Sequence, residues 1–178
     1  MARCAKEQKA FGHDTVFKAV LIYENFATGA RAQCCLERLA QASGKALQEQ
    51  TWNFEVLGIR EARNGAASAA RKADVVALSA SGQLALPGTV RAWFDMWLWL
   101  LEDEKPALLA LFDSSATPTV MSISAHLSRI AQRAGIEFFS AHPQVSLFPV
   151  VRPKEEAIWP ESVERALLSS LFSGGIPA

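Results

Sequence analysis

Six consecutive residues, Phe26, Ala27, Thr28, Gly29, Ala30 and Arg31, carry the sharpest chemical signal in this chain. They lie where an apolar, strand-like run gives way to a helical pattern. A helix that starts there presents free backbone N–H groups and the positive end of its dipole. Thr28 adds a hydroxyl, Gly29 removes side-chain bulk and Arg31 adds a positive charge, so the chemistry on offer is phosphate binding. The same residues also suit an ordinary β–α turn in which Thr28 and Gly29 only cap the helix. Two other segments share the composition. One covers 79–87 and holds Ser79, Ala80, Ser81, Gly82 and Gln83; the other covers 113–118 and holds Asp113, Ser114 and Ser115. Small side chains at such points let backbone N–H groups approach a ligand closely.

Other chemistries find less support. No Gly-x-Gly-x-x-Gly or Gly-Lys-Ser/Thr run occurs, which excludes the Rossmann and Walker signatures. The three cysteines are Cys4, Cys34 and Cys35, an odd number with no Cys-x-x-Cys spacing, and His13, His126 and His142 are scattered. That pattern points neither to a disulfide framework nor to zinc. Cys34 and Cys35 point about 100° apart on a helix, so at least one is expected in or near the core. Asp113 with Glu24 could suggest a receiver-type metal site, but the first strand lacks paired acids at its end and no suitable Lys follows the fifth. His126 and His142 read as surface or loop residues. No general acid or base is assigned.

The elements that would position these residues alternate between strand and helix. Residues 16–23 form a nearly continuous apolar run, as expected of a strand covered on both faces. A helical period follows over 30–43, with Gly44 as its stop. Strands are expected over 52–57, 75–78, 107–112 and 136–139, and helices over 66–72, 89–102, 122–134 and 161–172. Asn64-Gly65 reads as a turn. This order predicts an α/β fold with a five-stranded parallel sheet, right-handed crossovers and strand order 2-1-3-4-5. In such a sheet the ligand site lies outside the carboxyl ends of the strands, at the switch in strand order. That rule brings segments 24–31, 79–87 and 113–118 together.

The 178 residues suit one domain, which can bury roughly 70% of its unfolded surface. Residues 1–15 read as a loose N-terminal arm without the apolar core of a signal peptide, 16–172 as the domain and 173–178 as a frayed tail. Lys plus Arg equals Asp plus Glu, at 18 each. A neutral balance gives no electrostatic reason to expect nucleic acid or an anionic membrane as partner. The densest apolar stretch, 92–101, is too short to span a bilayer. A reducing cytoplasm is the expected location.

The run Asn25-Phe26-Ala27-Thr28-Gly29 resembles the Ser/Thr-x-Thr-Gly phosphate loop of flavodoxins. The run from Ala73-Asp74 through Ser79, followed by Leu86-Pro87-Gly88-Thr89-Val90-Arg91-Ala92-Trp93-Phe94-Asp95-Met96-Trp97, is similar to a segment of the NADPH-dependent FMN reductases and flavodoxin-like quinone reductases. Pro87, Gly88, Arg91 and Asp95 match that segment in type and approximate spacing. The resemblance implies a three-layer α/β/α flavodoxin-like fold. It also implies FMN as cofactor, NAD(P)H as transient donor and a quinone-like or other small acceptor. Thr28, Gly29, Ala30 and Arg31 would hold the flavin phosphate, and Ser79, Ala80, Ser81, Gly82 and Gln83 would line the isoalloxazine ring. In such proteins the flavin carries out the redox step and the chain supplies position and electrostatics. The chain departs from the family where Pro and an aromatic residue usually follow the third strand. It also lacks the Gly-Gly step after the fourth strand, having Asp113, Ser114 and Ser115 there, and Phe26 or Asn25 replaces the first hydroxyl.

The helix from Trp93 to Leu101 carries Trp93, Trp97 and Leu100 or Leu101 on one stripe, and Met96 and Trp99 on a second side. One stripe faces the sheet; the other suggests a homodimer interface. Two functions follow. The first is an FMN oxidoreductase. The second is a flavodoxin-like domain that has lost flavin and acts as a small-ligand-binding or protein-interaction module.

Overall fold

The computed structural model describes residues 16–101, 105–114 and 117–142. The expected arm, C-terminal helix and tail, and Ser115, lie outside the described residues. Five strands form one sheet: β1 (Val16–Tyr23), β2 (Ala46–Asn53), β3 (Val75–Ala80), β4 (Ala107–Phe112) and β5 (Phe138–Ala141). All are parallel, in the order β2-β1-β3-β4-β5. The helices are α1 (Phe26–Ala42), α2 (Arg60–Ala70), α3 (Gly88–Trp99) and α4 (Pro118–Ala134).

The period-2 alternation of the strands splits the core in two. Phe17, Ala19 and Leu21 of β1 face the side covered by Ala32, Cys35, Leu36 and Leu39 of α1. Val20 and Ile22 face the other side, where α2, α3 and α4 contribute Ala66, Ala67, Val90, Trp93, Phe94, Trp97, Val120 and Leu127. Each fully buried Leu, Val or Phe contributes about 1.5–3 kcal/mol relative to exposure. Both faces of β3 and β4 are buried along their whole length, which explains their unbroken apolar sequences.

Several boundaries differ from the sequence expectation, each for a physical reason. β2 runs from Ala46 to Asn53 and so starts well before the expected residue 52. Its Gln- and Glu-rich sequence pairs residue for residue with β1, from Val16↔Ala46 to Tyr23↔Asn53. As the sheet's edge strand it is held by that ladder, so the polar Gln48, Gln50 and Thr51 can remain exposed. A short 3-10 turn, Val56–Gly58, follows it where strand was expected. α2 starts at Arg60 and runs through Asn64-Gly65, because burying Ala66, Ala67 and Ala70 outweighs the local turn preference. α4 starts at Pro118, earlier than the expected residue 122, behind the Thr117 N-cap and with proline in its first turn. It ends at Gly135 in the left-handed conformation. α3 stops at Trp99, β5 is displaced to Phe138–Ala141, and Ser79 and Ala80 belong to β3 and not to the loop after it.

Candidate functional site

The site is built around the seam between β1 and β3, where strand order switches. Tyr23 pairs with Ser79 there, and the Glu24 N–H donates to the Ser79 carbonyl at 3.0 Å. Only Glu24 and Asn25 connect β1 to α1, so the expected loop over 24–31 is mostly helix.

The cause is a capping box at Asn25. The Asn25 side-chain oxygen accepts the Thr28 N–H at 3.1 Å, and the Thr28 hydroxyl oxygen accepts the Asn25 N–H at 3.0 Å. The Thr28 hydroxyl also donates to the Asn25 carbonyl at 2.8 Å. Thr28 is fully buried, and its carbonyl accepts the Ser79 hydroxyl at 2.8 Å. The Gly29 N–H is already in the helical ladder, donating to the Asn25 carbonyl at 2.9 Å. Gly29 packs on Tyr23: a Cβ there would sit 2.9 Å from Tyr23 Cδ2, which accounts for the glycine without a ligand. Ala30 is an exposed second-turn residue, and Phe26 is 88% exposed.

The other two segments close on this turn. The Ser81 N–H donates to the Glu24 carboxylate. The Ser114 hydroxyl donates to the Ser81 carbonyl at 2.7 Å and the Thr117 hydroxyl to the Gly82 carbonyl at 3.3 Å. Gly82 has φ +76°, and a Cβ there would collide with Val120 Cγ2. Ala80 is buried within β3, and Gln83 is exposed. Arg31 forms an ion pair with Asp113.

The structure thus brings Thr28, Gly29, Arg31, Ser79, Ser81, Gly82, Asp113 and Ser114 together. Phe26, Ala30 and Gln83 sit at the rim, and Ala80 lies under it. Two acids now lie where an anion was expected. Burial pushes the Asp113 carboxyl above its usual value; the Arg31 charge and hydrogen bond pull it down, and the nearby Glu24 charge pushes it up again. Arg31 Nε and Asp113 Oδ1 are buried with no hydrogen-bond partner among the described residues. Residues Glu24 and Asn25 were not among the expected site residues. The Asn25-x-x-Thr28 spacing is the sequence signal that points to the capping box.

These residues do not fit the phosphate of FMN in this arrangement. A dianion needs vacant donors. Here the Thr28 N–H, the Thr28 hydroxyl, the Ser81 N–H and Arg31 Nη2 are already engaged by Asn25, Glu24 and Asp113, and Arg31 Nε is buried. A phosphate would also meet the two carboxylates. Among the described residues, no group of three or more His, Cys, Asp or Glu could hold a metal ion.

No family model and no curated protein matches the sequence. Solved structures do match in shape. An oxidoreductase from Corynebacterium diphtheriae superposes with a TM-score of 0.53 and 11% identity, covering 90% of this chain and 99% of that one. Oxidised flavodoxin 2 from Bacillus cereus gives 0.51 and 14% identity, over 87% and 99% of the two chains. The two-electron reduced flavodoxin of Megasphaera elsdenii gives 0.49 and 15% identity, over 85% and 98%. At such identities the likeness concerns the fold alone. Together with the strand order, it establishes that this chain has the flavodoxin-like fold.

Proposed function

We propose that this chain is a flavodoxin-like binding module that does not work through a flavin phosphate and instead docks a partner protein at the carboxyl edge of its sheet. The observation that carries this reading is the pairing of Ser81 N–H with Glu24 and of Arg31 with Asp113. Donors that a phosphate would need are occupied by the chain's own acids. Around that closed centre stand Phe26 at the start of α1, Leu84 between β3 and α3, and Met121 in the first turn of α4. They are 88%, 73% and 62% exposed. Each follows the carboxyl end of a different strand. A contiguous exposed apolar patch marks an interaction surface, and these three side chains belong to segments that leave the same edge of the sheet. A cytoplasmic setting goes with this reading, since the three cysteines, Cys4, Cys34 and Cys35, do not form the pattern of a disulfide framework. No helix among the described residues is long and apolar enough to cross a membrane.

The second reading is an FMN oxidoreductase that takes electrons from NAD(P)H to a quinone-like acceptor. The fold it shares with an oxidised flavodoxin and with an oxidoreductase favours it. Binding FMN would then require Glu24 and Asp113 to leave their present partners. An absorption spectrum of the purified protein, repeated after incubation with FMN and desalting, separates the two. The binding-module reading expects no retained flavin band. A yellow protein that oxidises NADH or NADPH would overturn it in favour of the second.

A further inference from the structure

β2 is the outermost strand on its side of the sheet, and its eight residues, Ala46–Asn53, match β1 position for position without a bulge. In a parallel ladder each residue turns its N–H and C=O to the same side, and the side alternates along the strand. Every second residue of β2 therefore points both groups away from β1. Among the described residues, no strand or other backbone group pairs with them. Such edges are usually blunted by proline, by lysine, by a bulge or by a very short strand. β2 has none of these. Its one charged residue, Glu49, pairs with Ala19 and so lies on the α1 face.

On the opposite face a groove of about 230 Å³ lies over β1 and β2. It is lined by Lys18 of β1, Gln48 and Gln50 of β2, Ala69 of α2, and Lys72 and Ala73 just after that helix. The register sets Lys18 opposite Gln48 and Val20 opposite Gln50, so these side chains share the α2 face. Gln48 and Gln50 are exposed and form the outer wall. Two cations and two amides thus surround small apolar walls, and no acidic side chain lines the groove. Asp74, close by in the chain, turns its carboxylate to the Lys18 backbone N–H at 2.8 Å. We infer that this edge takes up an extended acidic segment of a partner protein as an additional strand. The partner's backbone bonds to the outward groups of β2, and its alternate Asp or Glu side chains lie over Gln48 and Gln50, toward Lys18 and Lys72. In strand addition the main-chain hydrogen bonds give affinity and pockets for alternate side chains give specificity. β2 supplies the first and the groove the second. A second copy of this chain fits badly. Antiparallel pairing of two β2 strands about an axis normal to the sheet keeps each face on its own side, and so sets lysines against lysines. The edge is independent of what the carboxyl ends of the strands bind.

Fluorescence anisotropy of labelled eight-residue peptides, titrated with the full chain, tests it. The probe alternates Thr, which favours extended backbone, with Glu. A peptide alternating Thr with Lys is the control. The Thr–Glu probe is expected to bind saturably and the control not to bind. Lys18→Gln combined with Lys72→Gln should weaken the probe about tenfold, since each partly exposed ion pair contributes a few-fold. Two further probes carry N-methyl groups on alternate residues, one at the odd positions and one at the even. Only one of them loses the N–H groups that face β2, so one should fail to bind and the other should bind as before. An association by charge alone would treat the two alike. No binding of the Thr–Glu probe overturns the proposal, and so does equal binding of the Thr–Lys control. Equal behaviour of the two methylated probes, or a double lysine variant that binds as tightly as wild type, overturns it as well. A chain that dimerises by light scattering and sheds the probe as it does so would place a second copy on this edge, against the proposal.

Discussion

The Glu24 carboxylate accepts the Ser81 backbone N–H across the seam between β1 and β3. Fifty-seven positions apart, the two residues tie the end of the first strand to the start of the loop after the third. Glu24→Ala leaves that half-buried N–H without its acceptor, a loss of roughly 1–3 kcal/mol. For a domain of this size, each kcal/mol lowers Tm by about 2–4 °C. Glu24→Gln keeps an acceptor oxygen and should lose less. Thermal unfolding followed by circular dichroism distinguishes the two, and equal losses would show that the hydrogen bond contributes nothing.

Asn25 holds the start of α1 by the reciprocal bonds to Thr28. Asn25→Ala should cost about 1 kcal/mol, and Asn25→Ser, which can still cap, only a few tenths. Urea unfolding midpoints measure both. An Ala variant as stable as wild type would mean that α1 is fixed by its buried face alone.

That cap also shows where the sequence stopped being informative. The unbroken apolar runs of β1, β3 and β4 are consequences of burial on both faces, so their positions and the strand order could be read in advance. The Gln48–Glu49–Gln50 segment could not be read as strand, because an edge strand is held by its ladder with β1 and not by its side chains. At the site, Thr28 and Gly29 were legible as a turn signal. Their roles were not, since the same Thr hydroxyl that could face a phosphate instead closes a box with Asn25, and the same Gly instead meets Tyr23. The Arg31–Asp113 pair joins residues 82 positions apart, and no local pattern announces it.

Glu49 on β2 gives a pH-dependent test. Burial, then the nearby Glu37 charge, raises its carboxyl above the usual value. The unfolded chain therefore ionises first as pH rises, and stability falls through the interval between the unfolded and folded values. Above both, the whole penalty remains. Glu49→Gln removes it, so the variant should be the more stable near neutral pH by at most ~0.5 kcal/mol, as for other substitutions near a surface. The advantage should vanish below the ordinary range of Glu, where both states of the wild type are protonated. Denaturation midpoints compared at acidic and neutral pH supply the measurement; a pH-independent difference would contradict the assignment.

Gly82 combines a left-handed backbone with a close neighbour, Val120. Gly82→Ala should destabilise by roughly 1–3 kcal/mol, from the disfavoured φ and from displacement of Val120. Gly65, exposed within α2 with open space where a Cβ would stand, provides the contrast. Gly65→Ala should stabilise by about 0.5–1 kcal/mol. Parallel urea titrations test the pair, and a Gly82 variant as stable as wild type would mean that the loop relaxes away from Val120.

If the acids at the site stand where an anion would otherwise bind, neutralising them should create an anion site. The double substitution Glu24→Gln and Asp113→Asn removes both negative charges and releases the Arg31 guanidinium from its ion pair. Side-chain size is nearly unchanged, so packing around Ser81 and Ser114 should hold. Inorganic phosphate should then raise the Tm of the double variant and leave the wild type unmoved near neutral pH. Acid should act on the wild type in the same direction. Because Asp113 is held above the usual carboxylate value, it takes up its proton earlier than an exposed Asp as pH falls, which frees Arg31. Phosphate protection of the wild type should therefore grow on acidification, whereas the double variant should change less over the same range. Differential scanning fluorimetry with phosphate, and with chloride at equal ionic strength, measures this. Wild-type protection at neutral pH as strong as that of the double variant would show that Glu24 and Asp113 do not block the site, and would return FMN to first place.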